Sequence, residues 1–313
     1  MKFRKQGLIL KADGQREWMY SHIQTPYAYI VGDRVRVFFT SRPKPVDGLF
    51  KSVTSYFDLD RDNLKRVIEI CDSPILSFGK TGTFDEFGIM PGPIIKKDRE
   101  CWMYYEGWSR LQSVPYAHAV GIAITNDMRT FRKYSEGPVL SDTPDEPYRL
   151  YSIIGDIKED NNVFHMYYGS GVGWEEYKGG MEAVYLIRHA ASSDGLNWNR
   201  DSAYLIEKGF DDECQAPGNV FKVGDDWHML FSYRHSLAFR NKERGYRIGH
   251  AVSKDLINWR RDGFFDNFKV SEEGWDSEMI CYPFVLKLDD EYVVFYCGNG
   301  FGASGLGYAY IDF

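Results

Sequence analysis

Three segments of the chain place acidic side chains in a shared pattern. They are FDEFGIMPGPII at 84–95, FDDECQAPGNVF at 210–221 and WDSEMICYPFVL at 275–286. Each begins with an aromatic residue and Asp, has a Glu one or two residues later, and then reaches Pro. Cleavage of a glycosidic bond uses such groups in pairs, because one carboxylic acid protonates the leaving oxygen while a second carboxylate activates water or attacks carbon.

These openings supply the candidate catalytic residues, which are Asp85, Glu213, Asp276 and Glu278, with Glu86 as a substrate ligand. Carboxylates that crowd together raise one another's pKa, which keeps one of them protonated near neutral pH. A second interpretation stays open for the recurring Asp. It could cap a turn in every repeat, since Asp bonds its own downstream backbone.

Other side chains are candidates for holding a ligand. Arg42 and Arg234 end the related segments FTSR and FSYR, and their paired donors suit a carboxylate or a phosphate. A salt bridge at a rim is the alternative for both. Trp108, Trp174 and Tyr282 are candidates for stacking on sugar rings.

The repeat predicts the fold that must position these residues. Each opening leads into aromatic-rich segments that alternate with period two, which is typical of half-buried strands. Such segments recur at 35–42, 101–108, 163–171, 227–234 and 292–300. Five units of roughly 55 to 65 residues match the blades of a propeller. We therefore expect an all-β fold, a single five-bladed β-propeller domain over residues 1–313, with the openings delivering acids to one mouth of its channel.

The amino-acid composition limits the classes of partner that the protein can bind. The 313 residues carry a net charge of −7, which argues against nucleic acid, because phosphate binding needs clustered Lys and Arg. Aromatic residues make up 16%, which leaves an oligosaccharide or glycoconjugate ligand open. The apolar stretch 8–10 is too short for a signal peptide and no window approaches a membrane span, so we expect a cytoplasmic protein.

Cofactors are not indicated by the remaining residue types. The five cysteines are odd in number and lack a C-x-x-C pair, and the seven histidines show no metal-ligand spacing. We therefore predict neither a metal nor an organic cofactor.

The segments FDEFGIMPGPII and WDSEMICYP, with the SSDGLNW turn at 192–198, carry a family resemblance. The chain resembles the five-bladed glycoside hydrolase superfamily of arabinanases, invertases and levansucrases. It is more similar still to propeller proteins of that superfamily associated with bacterial polysaccharide biosynthesis. The resemblance covers essentially the whole chain.

The resemblance implies a base or nucleophile Asp on the first blade, an Asp on a middle blade and an acid Glu on the fourth. Glu213 stands roughly where that Glu would be. Thr25 occupies the place of the first Asp, while Ile154 and Gly155 stand where a middle-blade Asp-Pro is expected, with Asp156 two residues late. The carboxylate trio of the superfamily is incomplete.

Three functions follow, and the first is the leading one. A glycoside hydrolase would use Glu213 as acid and Asp85 or Asp276 as base. A phosphorylase would need one protein acid, with Arg42, Arg234 and Arg188 holding phosphate. A non-catalytic glycan-binding propeller would keep only its aromatic residues. An acid pair at glycosidase spacing favours the first, clustered arginines at the mouth favour the second, and isolated acids favour the third.

Overall fold

The structure is a computed structural model that describes residues 2–150, 154–263 and 268–313. These residues form five antiparallel sheets, which stand in a ring as the blades of a β-propeller. The predicted all-β, five-bladed architecture is confirmed. In the described part, no helix is long and apolar enough to cross a membrane.

The strands of the first three blades follow one another along the chain. The first blade contains β2 to β5, at Ser21–Val31, Arg34–Arg42, Val53–Asp60 and Val67–Ile70. The second contains β6 to β10, at Gly88–Met90, Ile94–Lys97, Glu100–Ser109, Ala117–Thr125 and Arg132–Lys133. The third contains β11 to β14, at Ile154–Asp160, Val163–Tyr177, Gly180–Ser192 and Asn199–Arg200.

The last two blades complete the ring. The fourth contains β15 to β19, at Glu213–Ala216, Val220–Val223, Asp226–His235, Arg247–Ser253 and Trp259–Asp262. The fifth contains β20 to β22, at Cys281–Leu288, Glu291–Cys297 and Leu306–Asp312, with a short helix α1 at Asn299–Gly302. Its outermost strand is β1, Lys2–Leu10, from the other end of the described chain.

Pairing of the N-terminal strand with the C-terminal strand joins the two ends of the ring. β1 runs antiparallel to β22, from Lys2 opposite Asp312 to Leu10 opposite Leu306. The main chain of β22 thereby gains a partner on its outer side, and an unpaired edge would invite association with other chains.

The innermost strands are irregular where they meet at the channel. In the second and fourth blades each is broken into two pieces around Pro91 and Pro217, because proline cannot donate to the ladder. Close approach there also requires glycine. A Cβ on Gly155 would lie 2.2 Å from the carbonyl oxygen of Gly218, and one on Gly218 would lie 2.0 Å from that of Leu230. The third and fourth blades therefore approach each other closely beside the channel.

A recurring turn ends the third strand of three blades. The Asp127 carboxylate accepts hydrogen bonds from the backbone N–H groups of Arg129 and Thr130, both at 2.8 Å. Asp194 and Asp255 hold the same turn in the third and fourth blades. These backbone donors lower the pKa of all three carboxyl groups, that of Asp127 to about 2. The structural role that Asp has in such turns is visible here.

Paired histidines bridge neighbouring strands near the outer side of two blades. His165 Nδ1 lies 2.9 Å from His189 Nε2, and His228 Nδ1 lies 2.9 Å from His250 Nε2. His250 is buried, and Asp262 lies 3.7 Å from its Nδ1. Each pair can share only one proton between its facing nitrogens.

We predict that His250 makes the fold sensitive to acid. Burial, then His228 and Arg260, lower its pKa from 6.5 to about 3. The unfolded chain therefore binds a proton below about pH 6.5 that the folded chain rejects, so stability falls as pH falls from there towards about 3. In His250→Asn, the free energy of unfolding from urea titrations should lose up to about 1.4 kcal/mol per pH unit of this slope. The slope rather than the absolute stability is the readout, and an unchanged slope would contradict the assignment.

Candidate functional site

A central cavity opens at one mouth of the propeller. It consists of two adjoining hollows of about 600 Å³ and about 390 Å³, which share the residues Arg42, Tyr116, Tyr185 and Tyr282. Every blade contributes to its wall, through Arg42, Trp108, Tyr185, Arg234 and Tyr282 in blade order. Its volume suits a ligand of one or a few sugar rings.

Aromatic side chains make up much of this wall. Trp108 and Tyr282, two of the predicted stacking residues, lie in it. Trp174, the third, lies behind the wall, where its ring contacts that of Tyr116 at 5.2 Å. Tyr116 in turn stacks on His118 at 4.7 Å. Flat apolar faces with polar edges of this kind suit the faces and hydroxyl groups of sugars.

Glu106 is the buried carboxylate of the central cavity. It lies on β8 between Tyr104 and Trp108, two residues from each, so all three point to one face of the strand. Glu106 is 2% exposed, and its Oε1 lies 2.5 Å from Nδ1 of His118 on the neighbouring strand β9. The repeated openings do not point to this residue. The available signal was a single acid within the aromatic-rich segment 101–108.

Arg234 is held in place by main-chain oxygens. Its Nη1 donates to the carbonyls of His235 and Ser236, at 2.7 and 3.0 Å, and Nη2 donates to that of Ala183 at 2.8 Å. Nε donates to the Tyr246 hydroxyl at 3.3 Å, and this phenol contacts the hydroxyl of Tyr185. Four of the five guanidinium donors are thus engaged within the protein.

Arg42 is placed differently in the same wall. Its guanidinium carbon lies 5.6 Å from the centre of the Phe50 ring. Among the described residues, no acidic side chain forms an ion pair with it, and burial lowers its pKa. Burial and the Arg42 charge together lower the pKa of nearby His22 to about 3.

The acids of the openings do not meet at this cavity. The Asp85 carboxylate lies 2.5 Å from Lys133 Nζ and accepts a hydrogen bond from the Tyr105 hydroxyl at 2.9 Å. Lys133 belongs to β10, the outermost strand of the same blade. The expectation that Asp85 reaches the channel mouth is therefore corrected. The Asp85 side chain reaches across the end of its blade to β10, the strand farthest from the channel.

The fifth blade repeats this arrangement with different strands. Asp276 contacts Lys5 Nζ at 2.7 Å and the Tyr296 hydroxyl at 3.0 Å, and Lys5 lies on the outermost strand β1. Asp276 is 2% exposed. Glu278, predicted beside it, points to solvent and does not line the central cavity.

Glu213 occupies the corresponding place in the fourth blade. It is 0% exposed, and both of its oxygens contact Arg261 Nη1 on the outermost strand β19, at 2.7 and 2.9 Å. In the third blade Glu146 does the same with Arg200 on β14, at 2.7 Å. We call these four carboxylate–cation pairs the blade clamps, formed by Asp85–Lys133, Glu146–Arg200, Glu213–Arg261 and Asp276–Lys5.

Two further predicted ligands lie away from the central cavity. Arg188 faces the Glu146–Arg200 clamp of the third blade, with Nη1 3.5 Å from the Glu146 carboxylate. The Glu86 carboxylate accepts the backbone N–H of Gly82 at 2.8 Å and so belongs to a turn. Of the predicted site residues, the structure brings Arg42, Arg234, Trp108 and Tyr282 together. In the described part of the chain, no group of three or more His, Cys, Asp or Glu is arranged to hold a metal.

Known proteins resemble this chain over its whole length. No protein-family model matches the sequence. An uncharacterized protein of Mycobacterium tuberculosis H37Rv, Rv1502, is 31% identical over 314 residues, which cover 100% of both chains.

Solved structures share the fold at lower identity. A complex of BT0996 and RGII superimposes with a TM-score of 0.74 at 20% identity, over 98% of this chain and 90% of the other. A putative glycosidase from Bacteroides thetaiotaomicron gives 0.73 at 16% identity, over 99% and 97%. A structure from the GH130 family of mannoside phosphorylases, which contains glycoside hydrolases that target β-1,2 mannosidic linkages in Candida mannan, gives 0.69 at 16%, over 99% and 94%. The resemblance to five-bladed glycoside hydrolases is confirmed at the level of the fold.

We predict that the blade clamps stabilise the fold. Arg261→Met leaves the Glu213 carboxylate buried without its cation, which should lower the free energy of unfolding by about 3–5 kcal/mol. Arg260→Met is the matched control, because Arg260 is the exposed neighbour on the same strand and has no acidic partner among the described residues. Urea denaturation measures both. Equal losses in the two variants would refute the clamp, and Arg261→Lys, which keeps the charge, should fall between them.

Proposed function

The chain belongs to the family of the Mycobacterium tuberculosis protein Rv1502, and on that premise we propose that it is a carbohydrate-active enzyme that cleaves a glycosidic bond in its central cavity. The ligand is an oligosaccharide or glycoconjugate. The acid in this reaction is Glu106, and Trp108 and Tyr282 hold the sugar rings.

The contact between Glu106 and His118 is the observation that carries this proposal. Departure of a sugar from a glycosidic oxygen requires a proton, which a positioned carboxylic acid supplies. Glu106 is buried at the wall of the cavity, and its partner His118 is also in the wall, 2.5 Å away. The proton that this pair holds passes to the leaving oxygen as the bond to the sugar carbon breaks. The Glu106 carboxylate that results takes up a proton from solvent for the next cycle, and His118 lies close enough to relay it.

The second reactant distinguishes two versions of the reaction. In hydrolysis, a second carboxylate activates water. Among the described residues, Glu182 is the other acid in the wall, and its carboxylate is engaged by Arg240, with Oε2 3.1 Å from Nη2. In phosphorolysis, phosphate itself attacks and no second acid is needed. Arg42 lies in the same wall, whereas Arg234 is already bound by oxygens of the protein, so what supports this second version is the fold shared with the GH130 structure.

We predict that Glu106→Gln removes turnover while Glu213→Gln does not. Without the proton donor, kcat should fall by about 10²–10⁴. Glu213→Gln is the control, because Glu213 lies in a blade clamp away from the cavity, so its cost should appear in stability. Product release is measured from a panel of nitrophenyl glycosides and bacterial oligosaccharides.

Running this panel with and without inorganic phosphate separates hydrolysis from phosphorolysis. A thermal melt of each variant, with the assay held well below the transition, verifies that the assayed protein is folded. If Glu213→Gln stops turnover in folded protein and Glu106→Gln does not, the acid is Glu213, as the family resemblance implies. A glycan that binds without any turnover would mean that the propeller only binds sugar.

A further inference from the structure

The central cavity carries more positive than negative charge, although the chain as a whole is acidic. Its wall contains three arginines and two glutamates. Arg240 is paired with Glu182, and Glu106 is paired with His118. The remaining cations are Arg42 and Arg234.

These two arginines differ in how many hydrogen bonds and ion pairs their guanidinium groups form within the protein. Arg234 is 3% exposed and directs four donors to oxygens of the protein, so its position and most of its hydrogen-bonding capacity are already used. Arg42 has no ion-pair partner among the described residues, and it lines both hollows of the cavity. A partly desolvated cation without a counterion is unfavourable, and an anionic ligand would remove that cost.

The surroundings of Arg42 suit a sugar that carries this anion. Phe50 lies beside the guanidinium, and Trp108 lines the same hollow, so a pyranose ring has flat apolar surfaces within reach. Thr25 and Tyr282, which also line this hollow, have φ values of 48° and 54°. A left-handed backbone at two non-glycine residues is unfavourable and tends to be kept where a site needs it.

We propose that Arg42 binds the carboxylate of an acidic sugar in the glycan ligand. A single guanidinium presents a planar pair of donors that matches a carboxylate in charge and in geometry. A single guanidinium leaves one negative charge of a phosphate dianion unmatched, and Arg234 has at most one free N–H to offer. The inference rests on the central cavity being the ligand site of the proposed function, and it does not depend on Glu106.

The test compares matched ligands by isothermal titration calorimetry. The probes are glucuronate and glucose, oligosaccharides that contain uronic acid, the same oligosaccharides after carboxyl reduction, and inorganic phosphate. Wild type should bind the acidic oligosaccharide about tenfold to a hundredfold more tightly than its carboxyl-reduced form, as expected for a charged hydrogen bond. Arg42→Met should lose this preference and keep its affinity for the reduced form.

Control variants separate the possible failures. Arg99→Met changes an exposed arginine in the turn between β7 and β8 and should keep the preference. Arg42→Lys keeps the positive charge but lacks the planar pair of guanidinium donors, so it should retain only part of the preference for the acidic ligand. Since Arg42 has no ion-pair partner to lose among the described residues, Arg42→Met should melt no lower than wild type. Glu106→Gln should bind with the same preference while losing turnover, so failure of the proposed chemistry leaves this result intact.

Two results overturn the proposal. Equal affinity of wild type for acidic and reduced ligands, including no measurable affinity for either, is one. A preference that survives in Arg42→Met is the other. If inorganic phosphate binds in an Arg42-dependent way and acidic glycans gain nothing from their carboxylates, the anion at this site is phosphate and the carboxylate assignment is wrong.

Discussion

The blade clamps are the interaction on which the rest of the molecule depends. In four blades a buried carboxylate reaches across the blade end to a cation on the outermost strand, as Asp85 does to Lys133 and Asp276 to Lys5. The two groups stabilise each other's burial and fix the connecting segment against the blade. The first blade uses a different bond at the corresponding place, since Trp18 Nε1 donates to the carbonyl of Asp72 just after the outermost strand β5.

This use of the repeated acids explains where a function can lie. The acids that recur in four blades hold those blades together, so a ligand site must be made from residues outside this repeat. Glu106 and His118 occur in the second blade, and Arg42 in the first. They lie on middle strands, where alternate residues next to the channel face the cavity. The asymmetry of the ring thus produces one site at its mouth.

The cavity is also electrostatically uneven. Arg234 is buried against the Phe239 ring at 3.7 Å and held by carbonyl oxygens, so it acts as a fixed part of the wall. Arg42, which lines both hollows, lacks such partners among the described residues. Arg234 is already bound by the protein, whereas Arg42 is left to bind a ligand. Such a wall can orient an anionic group without reorganising, which is the advantage of a preorganised site.

The sequence alone determined the architecture, because strand alternation and a repeated opening are local patterns that report burial directly. It also named Arg42, Arg234, Trp108 and Tyr282 among the candidate ligand residues, and the structure places these four in the wall of the central cavity. Only the tertiary structure decided which partners the acids of the openings contact. Whether Glu213 faces a ligand or Arg261 depends on a contact between residues 48 positions apart. The repeated openings do not indicate Glu106, because it lies outside them. Its partner His118 becomes a neighbour only when β8 and β9 pair.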